Sequence, residues 1–228
     1  MAAAVVASAL SSGCAPAAER PGAAAAQGSV APASGDASAP ATREERPSDL
    51  SCARGTRDLG IHRGFVGGGA VRVRLCAVPG LPSTSPESAP GGAYHVAGAA
   101  GAAIVNATVS HGVLGLVQAA RRRGLALAAT SSFRTMEHQR ALCAANRVCR
   151  HGDFTYVAAP GFSNHQLGIA IDFAGTAVEG RSACGRGRAV DPRSRTWRFL
   201  EHHARHFGLR QYAAESWHWD ASDDAGRC

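Results

Sequence analysis

Ser163-Asn164-His165-Gln166-Leu167-Gly168-Ile169-Ala170-Ile171-Asp172 decides how the rest of this chain is read. Pro160-Gly161 and Ser163-Asn164 make the approach a loop, which puts His165 on or just before a turn. Gly168 lets the backbone reverse sharply. From Gly168 to Phe173 the residues alternate: Ile169, Ile171 and Phe173 face one way, Ala170 and Asp172 the other, as in a strand. Ala170 is small where bulk would crowd a bound ion. An ionised Asp172 inside an apolar strand needs a compensating cation, either an arginine or a metal. Alone, the segment fits a structural Asp–His hydrogen-bonded pair equally well.

Glu215-Ser216-Trp217-His218 shifts the balance. In a regular strand, residues three apart point to opposite faces, so Glu215 and His218 reach one site only if the backbone bends between them. Trp217 is the natural anchor of such a bend. The bland alternative is a surface glutamate beside a core Trp–His pair. Together the two segments supply two imidazoles, a carboxylate and a spare carboxylate. That set suits a catalytic zinc site, with His165, Asp172 and His218 as ligands, an open position, and Glu215 as general base. The chemistry expected is that of a zinc hydrolase. A third element is Ser131-Ser132-Phe133-Arg134-Thr135, followed by Gln139. Arg134 falls where a buried strand gives way to a helix. A guanidinium there suits a substrate carboxylate or the oxyanion formed on attack.

Ser-x-His-x-x-Gly-x-Ala-x-Asp, then Glu-x-Trp-His, preceded by Ser-x-x-Arg-x-x-x-x-Gln, closely resembles the VanY-type D-alanyl-D-alanine carboxypeptidases. Those are zinc peptidases that share a fold with the hedgehog signalling domain. The resemblance runs from about Asn106 to Asp220. It implies an α+β, hedgehog/DD-peptidase-like fold with a small, mostly antiparallel sheet and flanking helices. It further implies Zn2+ on His165, Asp172 and His218, Glu215 as catalytic base, and Arg134, Gln139 and Ser163 in contact with substrate. The implied substrates are peptidoglycan stem peptides ending in D-Ala-D-Ala, with no protein partner. Two alternatives remain open. One is an endopeptidase of the same fold, cutting at L-Ala-D-Glu or at cross-links. The other is a non-catalytic peptidoglycan-binding module, or more remotely a hedgehog-like ligand domain.

The remaining elements follow from pattern. Residues 58–78 read as short β structure around Gly67-Gly68-Gly69, and Pro79 to Gly92 as a loop. A helix is expected over 107–123, with Val113, Leu116, Val117 and Ala120 on one side and Gly124 as terminator. Leu125 to Thr130 reads as a short buried strand, and a helix capped by Thr135 follows. Asp191-Pro192 reads as a helix start, with Trp197, Leu200, Ala204 and Phe207 as its buried stripe and Gly208 as its end. A last strand from about Leu209 should carry the chain into Glu215–His218.

Residues 15–50 are mostly Ala, Gly, Pro and Ser with a few charges and carry no aromatic residue, the composition of a disordered tether. Ahead of it, residues 1–14 resemble an export segment of lipoprotein type, with Cys14 as the candidate lipid anchor. Residues 51–105 are then an N-terminal extension, and 106–228 the family-like domain. Six cysteines remain beyond Cys14, and proximity in sequence favours Cys52–Cys76, Cys143–Cys149 and Cys184–Cys228. Disulfides imply an oxidising compartment, so an exported protein of the bacterial cell envelope is expected. The chain has no lysine, and its net charge is +7. The first 50 residues carry three arginines and five acidic residues, net −2, which leaves +9 for the rest. A basic surface suits an anionic partner. Scattered arginines without an aromatic platform argue against nucleic acid.

Overall fold

The computed structural model describes residues 50–185 and 188–223. The export segment, Cys14, the tether except Leu50, and Cys228 lie outside the described residues.

A long hairpin opens the fold. Strand β1 (Arg57–Val66) pairs antiparallel with β2 (Gly69–Pro82), and Val66 sits opposite Gly69. The two turn residues, Gly67 and Gly68, both have positive φ, as a tight hairpin turn of matching twist demands. β2 also pairs with β3 (Ala102–Asn106), completing an antiparallel sheet in the order β1-β2-β3. The expected 79–92 loop therefore begins later, because β2 runs on to Pro82 before leaving the sheet.

Asn106 ends β3 and caps α1 (Ala107–Arg122), its side chain accepting from the Thr108 amide. The helix buries Val113, Leu116, Val117 and Ala120, the stripe expected from sequence, and Gly124 follows it with a φ of 63°.

A second sheet, also antiparallel, has the order β4-β5-β9-β8. Its strands are β4 (Ala129–Ser131), β5 (Ala170–Phe173), β8 (Arg210–Gln211) and β9 (His218–Asp220). Helices α2 (Met136–Ala145), α3 (Arg147–Arg150) and α4 (Asn164–Leu167) lie between β4 and β5 in the chain. A two-stranded ribbon of β6 (Ala177–Val178) and β7 (Ala189–Val190) precedes α5 (Arg195–His203), which runs into a 3₁₀ turn over Ala204–Phe207. One core joins both sheets: Val78 and Val105 pack with Leu116, Ile171, Phe173, Leu200 and Trp219. This is the expected α+β class with small antiparallel sheets and flanking helices.

Three local readings need correction. The strand expected over Leu125–Thr130 is confined to β4, because Leu125 is still tied to α1 through Ala120. Helix α5 starts at Arg195 with Ser194 as its cap, its hydroxyl accepting from the Trp197 amide. Asp191-Pro192 instead forms the preceding turn, with the Asp191 carboxylate accepting from the Arg193 amide. His165 sits in the one-turn helix α4, just before the turn at Gly168 as expected. Finally, no single strand runs from Leu209 to His218. β8 and β9 are antiparallel to one another, and Glu215 occupies the turn between them.

Cys52–Cys76 and Cys143–Cys149 are bonded as expected. Cys184 is also disulfide-bonded, and the pairing expected for it, with Cys228, falls outside the described residues. Among the described residues no helix is long and apolar enough to cross a membrane.

Candidate metal centre and substrate cleft

Three adjacent strands set the floor of the site. In the register of the second sheet Ser131, Asp172 and His218 lie opposite one another across β4, β5 and β9. His165 is delivered from α4, whose end is locked to the first sheet. The Asn106 amide donates to Gly168 O and the Asn106 side chain to Leu167 O. Gly168 has a φ of 77°, and a Cβ there would stand 3.0 Å from the Asn106 nitrogen. Both the turn and the close approach require glycine.

These constraints bring three donor atoms together. His165 Nε2 lies 3.2 Å from His218 Nδ1 and 3.2 Å from Asp172 Oδ1, while His218 Nδ1 is 3.0 Å from Asp172 Oδ1. The far nitrogen of each ring is already committed. His165 Nδ1 contacts Ser132 O at 2.7 Å, and a carbonyl can only accept, so Nδ1 carries the proton and Nε2 a lone pair. His218 Nε2 donates to Asp220 Oδ2 at 3.2 Å, which turns Nδ1 inward. Two ring nitrogens and a carboxylate oxygen thus converge at hydrogen-bond distance.

Burial makes that convergence costly without a positive charge at its centre. Burial alone would lower the His218 pKa, but hydrogen bonds to Asp172 and Asp220 outweigh it and raise it to about 10. Burial keeps His165 below its ordinary value despite Asp172 beside it. Asp172 is held well below the carboxylate range, because the two histidines overcome a burial that would raise it. One proton on His218 answers part of this demand, whereas a divalent cation answers it for all three donors. The spacing fits as well. Ligands about 2.0–2.1 Å from a tetrahedral zinc stand roughly 3.3 Å apart, close to the separations here.

Glu215 stands beside the three donors. Its Oε2 is 3.9 Å from His218 Nδ1. The bend that the spacing of Glu215 and His218 required is a closed turn. Glu215 N donates to Tyr212 O, His218 N to Glu215 O, and Tyr212 N to His218 O. Trp217 fastens it to β5, its carbonyl accepting from the Phe173 amide.

Arg134 lines the same cleft as these groups. Its guanidinium donates to Gln139 Oε1 at 2.8 Å and to Ser131 Oγ at 2.9 Å, and Nη2 lies 3.9 Å from Asp172 Oδ2. Burial lowers its pKa against the opposing pull of Asp172, Glu87 and Glu215. Its Nε is buried and has no hydrogen-bond partner. Ser163 and Arg134 both line a cleft of about 370 Å³, together with His165, Asp172, Glu215 and His218. Gln139 does not reach that cleft. It has no exposed surface, and its amide spans from Arg134 to Ala158 O, so it holds the guanidinium.

Several groups were missed in the sequence. Asp220, 3 % exposed, orients His218 and is itself held by Asn164 Nδ2, Ser222 N and Ser222 Oγ. Its place two residues after His218 on a strand was the available signal. The rim has exposed Tyr156 and Phe162 over the cleft. The rim is tied to the β1–β2 turn, where Gly68 N donates to Gly161 O and the Phe162 ring lies against Gly68.

A family model described as VanY, D-alanyl-D-alanine carboxypeptidase, matches residues 103–221, just over half of the chain. Among solved structures, one likeness is to a mutant of the vancomycin resistance D,D-pentapeptidase VanY from a VanB-type resistance cassette, in complex with Zn(II). It is 22 % identical, covering 53 % of this chain and 75 % of that one, with a TM-score of 0.40. Another is to VanYB in complex with D-alanine-D-alanine, at 23 % identity, 52 % and 72 % coverage and a TM-score of 0.38. A third is to DacB from Streptococcus pneumoniae D39, at 26 %, 53 % and 68 % coverage and 0.36. No curated protein matches the chain.

Proposed function

This chain belongs to the VanY D-alanyl-D-alanine carboxypeptidase family, and we propose that it is an exported zinc D,D-carboxypeptidase that removes the terminal D-Ala of peptidoglycan stem peptides. The observation that carries the zinc assignment is the set of three donor atoms 3.0–3.2 Å apart, each ring held in the ligating tautomer from behind. Zinc, when bound, supplies Lewis acidity, polarising a carbonyl and lowering the pKa of a water molecule.

The remaining chemistry belongs to the chain. Glu215, partly exposed beside the three donors, takes the proton of the attacking water and returns it to the departing amine. Arg134 is the cation of the cleft wall, and its guanidinium suits the substrate's terminal carboxylate or the oxygen that becomes negative on attack. Gln139 and Ser131 fix its plane. Ser163 offers a hydroxyl at the cleft surface for the peptide backbone. Oxidised cysteine, seen in the Cys52–Cys76 and Cys143–Cys149 bonds and at Cys184, supports an oxidising compartment and hence export. A lipid anchor at Cys14 remains part of this proposal.

The test is mass analysis of a defined pentapeptide-bearing muropeptide after incubation with the zinc-loaded chain. Loss of one D-Ala is expected. Cleavage within the stem would replace this reading with an endopeptidase, and an unchanged muropeptide would refute hydrolysis of this substrate.

A further inference from the structure

Glu87 lies in the loop between β2 and β3, ahead of the region matched by the family, and has no exposed surface. Burying a carboxylate so completely is costly unless it is fully bonded, and here it is. Its Oε2 accepts from Ser85 Oγ at 2.5 Å. Its Oε1 accepts from the Thr135 amide at 3.1 Å and from His138 Nδ1 at 2.8 Å. Tyr94, from the same loop, stacks on the His138 ring with 4.7 Å between centroids and 9° between planes. Those hydrogen bonds outweigh a burial that would raise the carboxyl and hold its pKa below the ordinary value.

The loop does not need this side chain to close. Its own backbone bonds do that, with Val96 N donating to Glu87 O and Gly101 N to Ser88 O. The carboxylate instead reaches out to the start of α2, 48 residues further along the chain. There it meets the amide of the N-cap residue Thr135 and the positive end of a ten-residue helix, which favour a negative charge. Arg134 is caught at that junction. Its own amide donates to His165 O, the next amide donates to Glu87, and one turn on Gln139 holds its guanidinium.

We propose that Glu87 is a positioning residue of the substrate site, clamping the first turn of α2 so that Arg134, held by Gln139, is presented to the substrate's carboxylate. The inference rests on the carboxypeptidase reading above. It gives the segment before the family region a role in substrate recognition: a carboxylate supplied from outside the family region sets the arginine inside it.

The experiment uses the full chain with zinc and a peptide ending in D-Ala-D-Ala. It compares Glu87→Ala, Glu87→Gln, Arg134→Ala and the Glu87→Ala/Arg134→Ala double variant. Metal content, kcat and KM are measured separately, together with hydrogen exchange at the Thr135 and His138 amides. Glu87→Ala should keep its zinc, raise KM by roughly tenfold to a hundredfold and speed exchange at Thr135. Glu87→Gln, which still offers an oxygen to that amide, should recover most of KM. In the Arg134→Ala background, Glu87→Ala should change KM by less than about twofold, since coupled residues are not additive. An equal change in both backgrounds would overturn the proposal, as would unaltered KM and Thr135 exchange in Glu87→Ala. If Glu87→Ala does not fold, His138→Ala, which removes a bond between Glu87 and α2, carries the same comparison against Arg134→Ala. Absence of hydrolysis in the wild type would overturn the enzymatic reading, and exchange at Thr135 tells that failure apart from failure of the clamp itself.

Discussion

Replacing Asp220 by alanine should weaken zinc binding without touching a ligand. Asp220 Oδ2 accepts from His218 Nε2 at 3.2 Å and from Asn164 Nδ2 at 2.9 Å, and Oδ1 accepts from Ser222 N and Oγ. Burial would raise this carboxyl, but the bonds from His218, Asn164 and Ser222 outweigh it and lower its pKa to about 2. It is therefore an anion throughout the neutral range. Without it, the His218 Nε2 proton is left with no acceptor in a nearly closed site, or the ring turns over and withdraws Nδ1 from the other two donors. Losing such an outer partner typically reduces metal affinity about 10–100-fold, which is about 1.4–2.7 kcal/mol. That agrees with the roughly 1–3 kcal/mol expected for stranding one buried polar group. Competition against a chromophoric chelator measures the affinity, and circular dichroism of the metal-free variant checks that the fold persists. A folded Asp220→Ala with affinity within about twofold of wild type would refute the idea that His218 is aimed from behind.

Three further expectations follow from the same structure. Glu215→Ala should retain zinc yet lose about 10²–10⁴ in kcat, as removal of a general base does; wild-type turnover with zinc bound would make Glu215 a bystander. Gly68→Ala places a side chain at a φ of 81° and 3.1 Å from the Phe162 ring, so thermal unfolding should show a loss of about 1–2 kcal/mol and muropeptide KM should rise with it. Removing the Cys143–Cys149 bond should cost about 2 kcal/mol in denaturant unfolding, and removing Cys52–Cys76, whose loop is longer, about 3 kcal/mol; the reverse order would contradict the loop-entropy account.

How far the sequence could be read depended on the range of each interaction. Helix α1 was recoverable almost to the residue because its stripe from Val113 to Ala120 and Gly124 are local signals. That His165 and Asp172 would meet was recoverable because, seven residues apart, they flank a glycine whose φ of 77° turns the chain between them. The Asp191-Pro192 start failed where Asp191 capped its own turn, leaving Ser194 to begin the helix; both are cap-forming residues, and the sequence does not rank them. The strand from Leu209 to His218 failed because pairing of β8 with β9 requires a reversal whose three backbone bonds involve no diagnostic glycine or proline. Gln139 was placed at the substrate by resemblance, and only its zero exposure and two committed ends reveal that it holds Arg134. Glu87 could not have been found at all, since nothing in a proline-rich loop announces a partner 48 residues away.

The charges around the cleft explain why these parts belong together. Asp172, Glu215 and Asp220 supply three carboxylates near the two histidines, and Arg134 supplies one fixed positive charge within 3.9 Å of Asp172. Such a site repels a peptide carboxylate unless another cation is present. A divalent ion on His165, Asp172 and His218 would offset Asp172 and Glu215, while Asp220 remains spent on His218 Nε2. Arg134 would then be the charge left for the substrate. That division requires Arg134 to stay in place when Asp172 no longer attracts it. Its remaining supports are then Gln139, Ser131 and the helix start that Glu87 clamps from outside the family region.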